Sequence, residues 1–465
     1  MKTAVIRSTW MDGYGFRLDC SPYLGGALET KVLLEKLSLR KDDLRDVTAG
    51  IYHAGRESRQ WVDSPQYGVP FISSSDLQKA DLSDLPLISK KQVEKTPLFT
   101  IRRGYTLITR SGTIGKMAYG RPDMDGMACS EHVLRVVPDT AKIPPGYLYA
   151  YLSSKFGVPL VVSGTYGSII QGIEPEHIAG LPVPRLGDSL ENEIHVLVEK
   201  AAELRSRATA QIRNTGKALL DALGKPPDLG LSRAGTLTTI VSSRAMDKTR
   251  RSDAWFFNGR AVLVEKWIAN HPNGVWRLGD IAEPFGVSPF KRVYVNGGEQ
   301  GIGFFGSADI FKLDRTPESF ISRAATRNIK KYVLPAGAIL LASSGQLNGI
   351  IGKPQFVDSA LAGKAASNHV LRIVPRSSRI PAGYLFAYLA CREIGYPLIA
   401  RTATGDSIPE IWPTYLSELP VLKSSERLME KVHQEVVEAF EMRVKATEFE
   451  SGARNRLEYA LGKTV

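Results

Sequence analysis

Cysteine is scarce in this chain. Cys20, Cys129 and Cys391 are the only three in 465 residues, far apart and without a CxxC pair. That excludes a zinc ribbon and a disulfide framework, and it fits a reduced, cytoplasmic compartment. Long apolar runs are lacking too. No stretch approaches the roughly 18 uninterrupted apolar residues that a spanning helix needs. The N-terminal MKTAVIRSTWMDGYGFRLDC is broken by Arg7 and Asp12, which excludes a signal peptide. Acidic residues are in deficit, 48 Asp and Glu against 60 Lys and Arg, leaving a net charge of +12. Without a membrane segment, that balance favours nucleic acid as the partner. Signatures of chemistry are missing as well. There is no P-loop, no Asn/Asp-Pro-Pro-Tyr/Phe motif and no spaced set of nuclease carboxylates. Gly301-Ile302-Gly303-Phe304-Phe305-Gly306 spells GxGxxG. No helix-forming run follows it and no acidic residue is placed for a ribose, so a glycine-rich hairpin is expected there. No cofactor and no metal are expected, and an enzyme is the least favoured class.

What the chain does have is a second copy of itself. Ile143-Pro144-Pro145-Gly146-Tyr147-Leu148-Tyr149-Ala150-Tyr151-Leu152 returns as Ile380-Pro381-Ala382-Gly383-Tyr384-Leu385-Phe386-Ala387-Tyr388-Leu389. Ser130-Glu131-His132-Val133-Leu134-Arg135-Val136-Val137-Pro138 returns as Ser367-Asn368-His369-Val370-Leu371-Arg372-Ile373-Val374-Pro375. The offset is about 233 early in each copy, 237 at the Ser-x-His-Val segment and 238 beyond it. Insertions therefore fall between the strand-like segments, where loops belong. The period is far longer than a solenoid unit and reads as duplication of a whole domain.

Each copy opens with a mixed, strand-rich part. Leu107-Ile108-Thr109, Ile339-Leu340-Leu341 and Val133–Val137 read as buried strands, and Tyr147–Leu152 and Tyr384–Leu389 as short helices after a Pro-Gly turn. Each copy closes with one long helix. Ile194, Leu197, Ala201, Leu204 and Ala208 form an apolar seam in the first. Val432, Val436, Ala439, Met442, Ala446, Phe449, Ala453 and Leu457 form one in the second. Glu203–Arg207 and Glu441–Lys445 are spaced for i,i+4 pairs, and Asp188 with Glu191 for a capping box. The matched pairs His195/His433 and Thr209/Thr447 keep the offset of 238 along both helices. Helix length is thus expected to answer a physical requirement. Residues 224–250 carry Pro, Gly, Ser and Thr without helical periodicity and read as a linker.

This layout resembles the specificity subunit of type I restriction-modification systems over essentially the whole chain. Arg17-Leu18-Asp19 and Arg251-Ser252-Asp253, followed by Tyr23 and by Trp255, Phe256 and Phe257, look like the openings of the two family repeats. Ser111-Gly112-Thr113-Ile114-Gly115-Lys116 is similar to the family's Ser-Gly-x-Ile-Gly turn. Copy two departs there, because Ser344-Gly345-Gln346-Leu347-Asn348-Gly349 has an inserted residue and no lysine. Ser-x-His-Val and the Gly167-Ser168-Ile169 stretch before Leu181-Pro182-Val183-Pro184 also look like family features.

The resemblance implies an α+β chain with two mixed α/β target-recognition domains, related by the internal repeat and separated and joined by two long antiparallel coiled-coil helices. The first domain would span 1–187, its helix 188–223, the linker 224–250, the second domain 251–423 and its helix 424–462. It further implies a non-catalytic subunit that reads a bipartite, non-palindromic target in double-stranded DNA. The helices would act as a ruler and dock two DNA methyltransferase (modification) subunits, with a restriction/translocase subunit as a further candidate member. Two other readings stay open: a related defence system with a different effector, and a duplicated protein-interaction scaffold with no DNA role.

Base reading needs donor and acceptor side chains at loop tips, and phosphate contacts need cations beside them. In copy one the candidates are Ser73, Ser74, Ser75, Lys91, Arg103, Thr113, Lys116, Tyr166, Ser168 and Gln171. In copy two they are Ser307, Lys330, Lys331, Gln346, Asn348, Thr402 and Thr404. Arg56, Arg59, Lys90, Arg102, Thr165, Lys291, Arg292, Arg327 and Asp406 form a wider set. Each also has a plain reading as a turn-former, cap or solvated charge. His132 and His369, inside apolar segments, are expected to be satisfied core histidines, and His195 and His433 to serve helix packing or partner docking.

Overall fold

A computed structural model of the chain describes residues 8, 11, 23, 25–164, 172–227, 240–347, 349–376, 378–405 and 407–463. The chain divides into two compact units. One is Met1–Ser206 with Lys445–Val465, the other Arg207–Val444. Each long helix therefore gives its first half to one unit and its second half to the other, so the units cut across the domain boundaries read from sequence.

Both units are built from the same strands in the same order. In the first, Thr48–Tyr52, Val133–Pro138, Thr106–Thr109 and Met117–Tyr119 form an antiparallel sheet in that spatial order. A second sheet orders Trp61–Val62, Leu87–Ser89, Gly68–Ile72 and Ala128–Cys129, the last pair parallel. Lys41–Asp43 pairs with Pro182–Pro184. In the second unit the large sheets run Ala282–Phe285, Val370–Pro375, Ile339–Ala342, Pro354–Phe356 and Tyr294–Val295, Ser319–Ser322, Gly301–Phe305, Ala365–Ala366. Val275–Arg277 pairs with Pro420–Leu422. The duplication is thus one of fold as well as of sequence. The GxGxxG run falls largely in Gly301–Phe305, a wholly buried inner strand. A Cβ on Gly303 would lie 2.4 Å from Pro317 Cγ, so close packing explains that glycine.

The central strand of each main sheet buries an arginine among apolar residues. Arg135 and Arg372 are both 0% exposed. Neither faces a carboxylate; both donate to backbone carbonyls. Arg135 reaches Ser130 O at 2.9 Å, Val133 O at 2.7 Å and Phe99 O at 3.2 Å, and also Cys129 O. Arg372 reaches the matching Ser367 O at 3.2 Å, Tyr332 O at 3.3 Å and Ala366 O at 2.9 Å, and also Val370 O. The planar fork satisfies carbonyls that would otherwise be orphaned in the core.

The long helices are Asp188–Leu223 and Glu426–Lys463, 36 and 38 residues, each about 55 Å at 1.5 Å per residue. Within each unit their halves pair antiparallel. In the first unit Glu193 meets Arg456 at 3.0 Å, and Arg205 pairs with Glu450. In the second unit Gln211 reaches Glu438 at 3.0 Å and Thr215 reaches Glu435 at 2.8 Å. Ile194, Val198 and Ala202 join Ala453, Leu457 and Leu461 in the first core; Leu219 and Leu223 join Val432, Val436 and Phe440 in the second.

Local expectations along these helices are revised. Gly187, at φ +89°, precedes the first helix, and the carboxylate of Glu191 turns back to Leu186 N at 2.8 Å and to Arg185. That leaves no Asp188–Glu191 capping box. Glu203 pairs with Arg103 at 2.8 Å, and Glu441 accepts from Ser359 Oγ at 3.0 Å. The helix carboxylates thus hold their own domain rather than the next turn. In the linker, Ser243–Thr249 is helical, capped by Ser242, whose side chain accepts from Ala245 N.

The matched histidines do the same job twice. His195 Nδ1 accepts the backbone N–H of Gly146 at 3.0 Å, and His433 Nδ1 that of Gly383 at 2.9 Å. Both glycines sit in the first turn of short helices, Pro145–Leu152 and Ala382–Ala390, where backbone N–H groups lack helical partners. The histidines therefore serve helix packing as capping acceptors.

Candidate nucleic-acid interface

Four segments converge at one end of each unit's sheets. In the first unit Ser130 N donates to Ile72 O, Arg110 N to His132 O and Ile173 N to Arg110 O, at 3.0, 3.0 and 2.9 Å. In the second, Ser367 N donates to Phe305 O, Ser343 N to His369 O and Ile411 N to Ser343 O, at 3.0, 2.9 and 2.8 Å. This ladder carries onto one surface the loops that sequence marked separately: 73–75 with 111–116, and 307 with 344–347.

At its centre stands a serine–histidine pair in both copies. Ser111 Oγ lies 2.7 Å from His132 Nδ1, and Ser344 Oγ 3.1 Å from His369 Nδ1. The His132 side chain is 42% exposed and His369 is exposed as well. The expectation of core histidines is therefore corrected: both sit in the turn just before the apolar strand, and only Val133 and Val370 turn inward.

Beside each histidine is a repeat-matched arginine. Arg59 Nη2 donates to Glu131 Oε2 at 2.7 Å while its guanidinium lies 4.9 Å from the Phe71 ring centroid. Arg292 Nη2 donates to Asn368 Oδ1 at 3.2 Å and lies 5.2 Å from the Phe304 ring. The frame of Arg, Phe, Ser and His is thus constant, and one residue inside it changes from Glu131 to Asn368. Glu131 is raised by burial, but the hydrogen bond and charge of Arg59 outweigh this and hold its carboxyl below the usual range. Copy one adds Arg110, which pairs with Glu174; Glu174 also reaches His53 Nε2 at 3.0 Å. Copy two has Ser343, Trp412 and Gly286 at the matching positions.

The other candidates fall into several settings. Ser73 caps a turn: its N–H and Oγ both reach Asp76 Oδ2, at 2.9 and 2.5 Å, and its Oγ lies 2.9 Å from Ser75 Oγ. Gly306 N to Asp309 Oδ2, at 2.8 Å, closes the same turn beside Ser307. Ser74 lies within the first of these turns. Burial raises the Asp76 carboxyl, but Lys79 and Ser73 together hold it low. Thr113 and Gln346 are exposed at their loop tips, and Lys91, Lys330 and Lys331 are exposed cations. Arg103 instead pairs with Glu199 and Glu203 on the long helix. Thr402 is 2% exposed and donates to Ile399 O, and Thr404 bridges to Glu410. Tyr166, Ser168, Gln171 and Asn348 lie outside the described residues, as do Thr165, Asp406 and the Arg17-Leu18-Asp19 motif.

The fold brings out two further features. The first is a lysine in copy two. Gly115 N bonds Thr109 O and Gly352 N bonds Ala342 O, each at 3.0 Å, so Gly352-Lys353 is the counterpart of Gly115-Lys116. The extra residues lie before it, and the loss of the lysine read from sequence is corrected. The signal was the offset, already 237 at this point. The second is the role of the Arg251-Ser252-Asp253 motif. Arg251 pairs with Asp253 at 2.6 Å and lies 4.9 Å from the Phe256 ring centroid. It also donates to the carbonyls of Thr402 and Ala403 at 3.4 and 3.0 Å. It pins the base of a candidate loop.

Among the described residues no group of three or more His, Cys, Asp or Glu is placed to hold a metal ion, and no helix is long and apolar enough to cross a membrane. No family model and no curated protein matches the chain. Solved structures do. A type I restriction-modification S subunit from M. genitalium aligns over 92% of this chain and 96% of its own, at 12% identity and TM-score 0.38. The HsdS subunit from Thermoanaerobacter tengcongensis aligns over 91% and 96%, at 16% identity and TM-score 0.27. A chain from a structure concerned with assembly and conformational transition of the type I R-M system aligns over 92% and 98%, at 15% identity and TM-score 0.29. All three TM-scores lie below 0.5, and the functional reading rests instead on the internal repeat and its loops.

Proposed function

We propose that the chain is the non-catalytic DNA-specificity subunit of a type I restriction-modification complex. Each unit reads one half of a bipartite, non-palindromic target in double-stranded DNA, and the chain directs partner methyltransferase subunits to it. The observation that carries this reading is the duplicated Ser–His–Arg–Phe frame with a different residue inside each copy, Glu131 or Asn368. A carboxylate accepts hydrogen bonds only, whereas an amide both donates and accepts, so the two select different base edges. The net charge of +12 supports a polyanionic partner, since phosphate neutralisation supplies most non-specific affinity. The two long helices, equal in length to within a turn, suit a spacer whose length is held.

The test is half-site exchange. Residues 17–185 are replaced by the first recognition domain of another such subunit, and methylated sites are sequenced in cells that also carry the partner methyltransferase. One half of the target should change and the other stay. A change in both halves, or in neither, would overturn the modular reading.

A further inference from the structure

The second unit carries an open cavity of about 290 Å³, lined in part by Phe290, Lys291, Ala325, Arg327, Asn328 and Tyr332. The repeat explains why it is there. The flanking strands correspond residue for residue, Trp61–Val62 with Tyr294–Val295 and Gly68–Ile72 with Gly301–Phe305. Ala325 therefore stands where the first unit has Gln92, which is 8% exposed. Gln92 Oε1 accepts from Gln60 N at 2.9 Å and its Nε2 donates to Ser58 O at 2.8 Å. Its amide straps the 57–60 loop onto the helix Lys90–Lys95. Glu57 adds to this by accepting from Thr96 Oγ1 at 3.1 and 3.2 Å. An alanine methyl can do none of this, and the space stays open in the second unit.

The lining goes from neutral to positive as well. Glu57, Ser58 and Glu94 of the first unit become Phe290, Lys291 and Arg327. Arg56 and Lys95 give way to Pro289 and Asn328, so a set with two cations and two carboxylates becomes one with two cations and no carboxylate. Phe290 stacks on Tyr332 with ring centroids 3.8 Å apart at 30°. Asn328 is held at φ +56°, turning the chain sharply beside Arg327. Two cations and an amide suit a phosphate; an aromatic wall suits the face of a base. The volume is near the roughly 300 Å³ at which small-ligand cavities begin, room for one nucleotide-sized group rather than a base pair.

We infer that this cavity is a nucleotide-binding subsite belonging to the second unit alone, with a phosphate on Lys291 and Arg327 and the attached base against Phe290 and Tyr332. This rests on the DNA-reading proposal for its occupant, a nucleotide of the bound strand.

The test uses the full-length chain and substitutions that install the first unit's own residues, Ala325→Gln, Arg327→Glu and Lys291→Ser. A deoxynucleoside monophosphate is titrated calorimetrically against the wild type, with inorganic phosphate and the unphosphorylated deoxynucleoside as separate probes. The monophosphate should bind more tightly than either fragment. Each substitution should weaken it about tenfold or more, the usual effect of losing one charge-assisted contact or its space. Thermal melts of each variant check the fold. Absent binding, or binding indifferent to all three substitutions, overturns the subsite. Target DNA should displace the monophosphate and lose affinity in the same variants. If it does neither, the cavity takes a free nucleotide and the strand assignment falls. Specific DNA binding without monophosphate binding removes the subsite and leaves the DNA-reading proposal standing.

Discussion

The imidazole of His195 and the backbone of Gly146 are fitted to each other. His195 Nδ1 accepts the glycine N–H at 3.0 Å, and a Cβ at Gly146 would come within 2.8 Å of that nitrogen and 2.9 Å of His195 Cα. His433 and Gly383 repeat both features at 2.9 Å and 2.8 Å to Cα. The glycine lets the short helix approach, and the histidine satisfies the N–H that the approach would bury.

Gly146→Ala and Gly383→Ala should each cost about 1–3 kcal/mol, because the backbone of the long helix cannot yield as a flexible side chain could. His195→Ala should cost about 1 kcal/mol for the lost acceptor. Urea denaturation of the single variants measures both. Equal stability of Gly146→Ala and wild type would show that the helices do not pack as described.

His195 also gives a pH signature. Burial chiefly, with Arg103 nearby, lowers its pKa, against a smaller opposing effect of Glu199. A depressed histidine favours folding while neutral. Its contribution is complete above the unfolded value of roughly 6.5 and is lost as pH falls through the folded value. Between pH 7.5 and pH 5 the wild type should lose more stability than His195→Gln.

Acid should loosen the first unit by a second route. Glu450 is buried and paired with Arg205, with Arg454 at 3.0 Å and the Tyr149 hydroxyl at 2.7 Å. Burial alone would raise its carboxyl, but the two arginines and the tyrosine overcome this and hold it at about 2. A depressed carboxylate stabilises fully above the ordinary range and loses that contribution as pH falls toward its folded value. The second unit has Ile212 and Phe386 at the matching positions, and there Phe356, Phe386 and Phe440 pack with centroids 5.2–5.9 Å apart. Hydrogen exchange at pH 3 should open residues 188–206 and 445–463 before 207–223 and 426–444. Glu450→Ala should cost about 3–5 kcal/mol at neutral pH, the usual price of stranding a buried partner charge.

Much of this was legible in the sequence, and the parts that were not share a cause. The repeat, its strands and the two long helices follow from periodicity and from a second copy that confirms the first. The Ser111–His132 pair was present as two separate residues, 21 apart, and no local pattern joins them. Only sheet pairing between Thr106–Thr109 and Val133–Pro138 does. The buried arginines were visible as a charge in the middle of Val133–Val137, recurring in Val370–Val374. A charge kept inside an apolar strand in both copies marks a structural fork, a reading that needs the carbonyls around it to become definite. Lys353 was missed because the offset changes from 233 to 237 inside the loop; Ile114-Gly115-Lys116 recurs as Ile351-Gly352-Lys353 only once the second offset is used.

Those arginines give a sharp test of side-chain geometry. Arg135→Lys keeps the charge but cannot span the carbonyls of Ser130, Val133 and Phe99 at once. Both Arg135→Lys and Arg135→Met should cost about 3 kcal/mol, since either strands buried acceptors. Arg372, whose pKa burial lowers to about 10, should behave alike in the second unit. If lysine restored full stability, charge rather than the planar fork would be what the strand requires.

The frame proposed to face DNA makes the last prediction, and the repeat supplies its control. Ser111→Ala with His132→Ala should relax base preference in the first half of the target by about 1–3 kcal/mol, the discrimination carried by one good base contact. The second half should be untouched. Ser344→Ala with His369→Ala should do the converse. Exchanging the inner residues, Glu131→Asn or Asn368→Glu, should alter preference rather than only weaken it, because the frame around each is the same. Lys91→Ala or Lys331→Ala, at exposed cations, should weaken binding to all sequences alike and flatten the salt dependence by about one phosphate contact. Competition binding against randomised half-sites at two salt concentrations separates these outcomes. A lysine variant that changed sequence preference, or a serine–histidine variant that changed only the salt slope, would reverse the roles assigned to them.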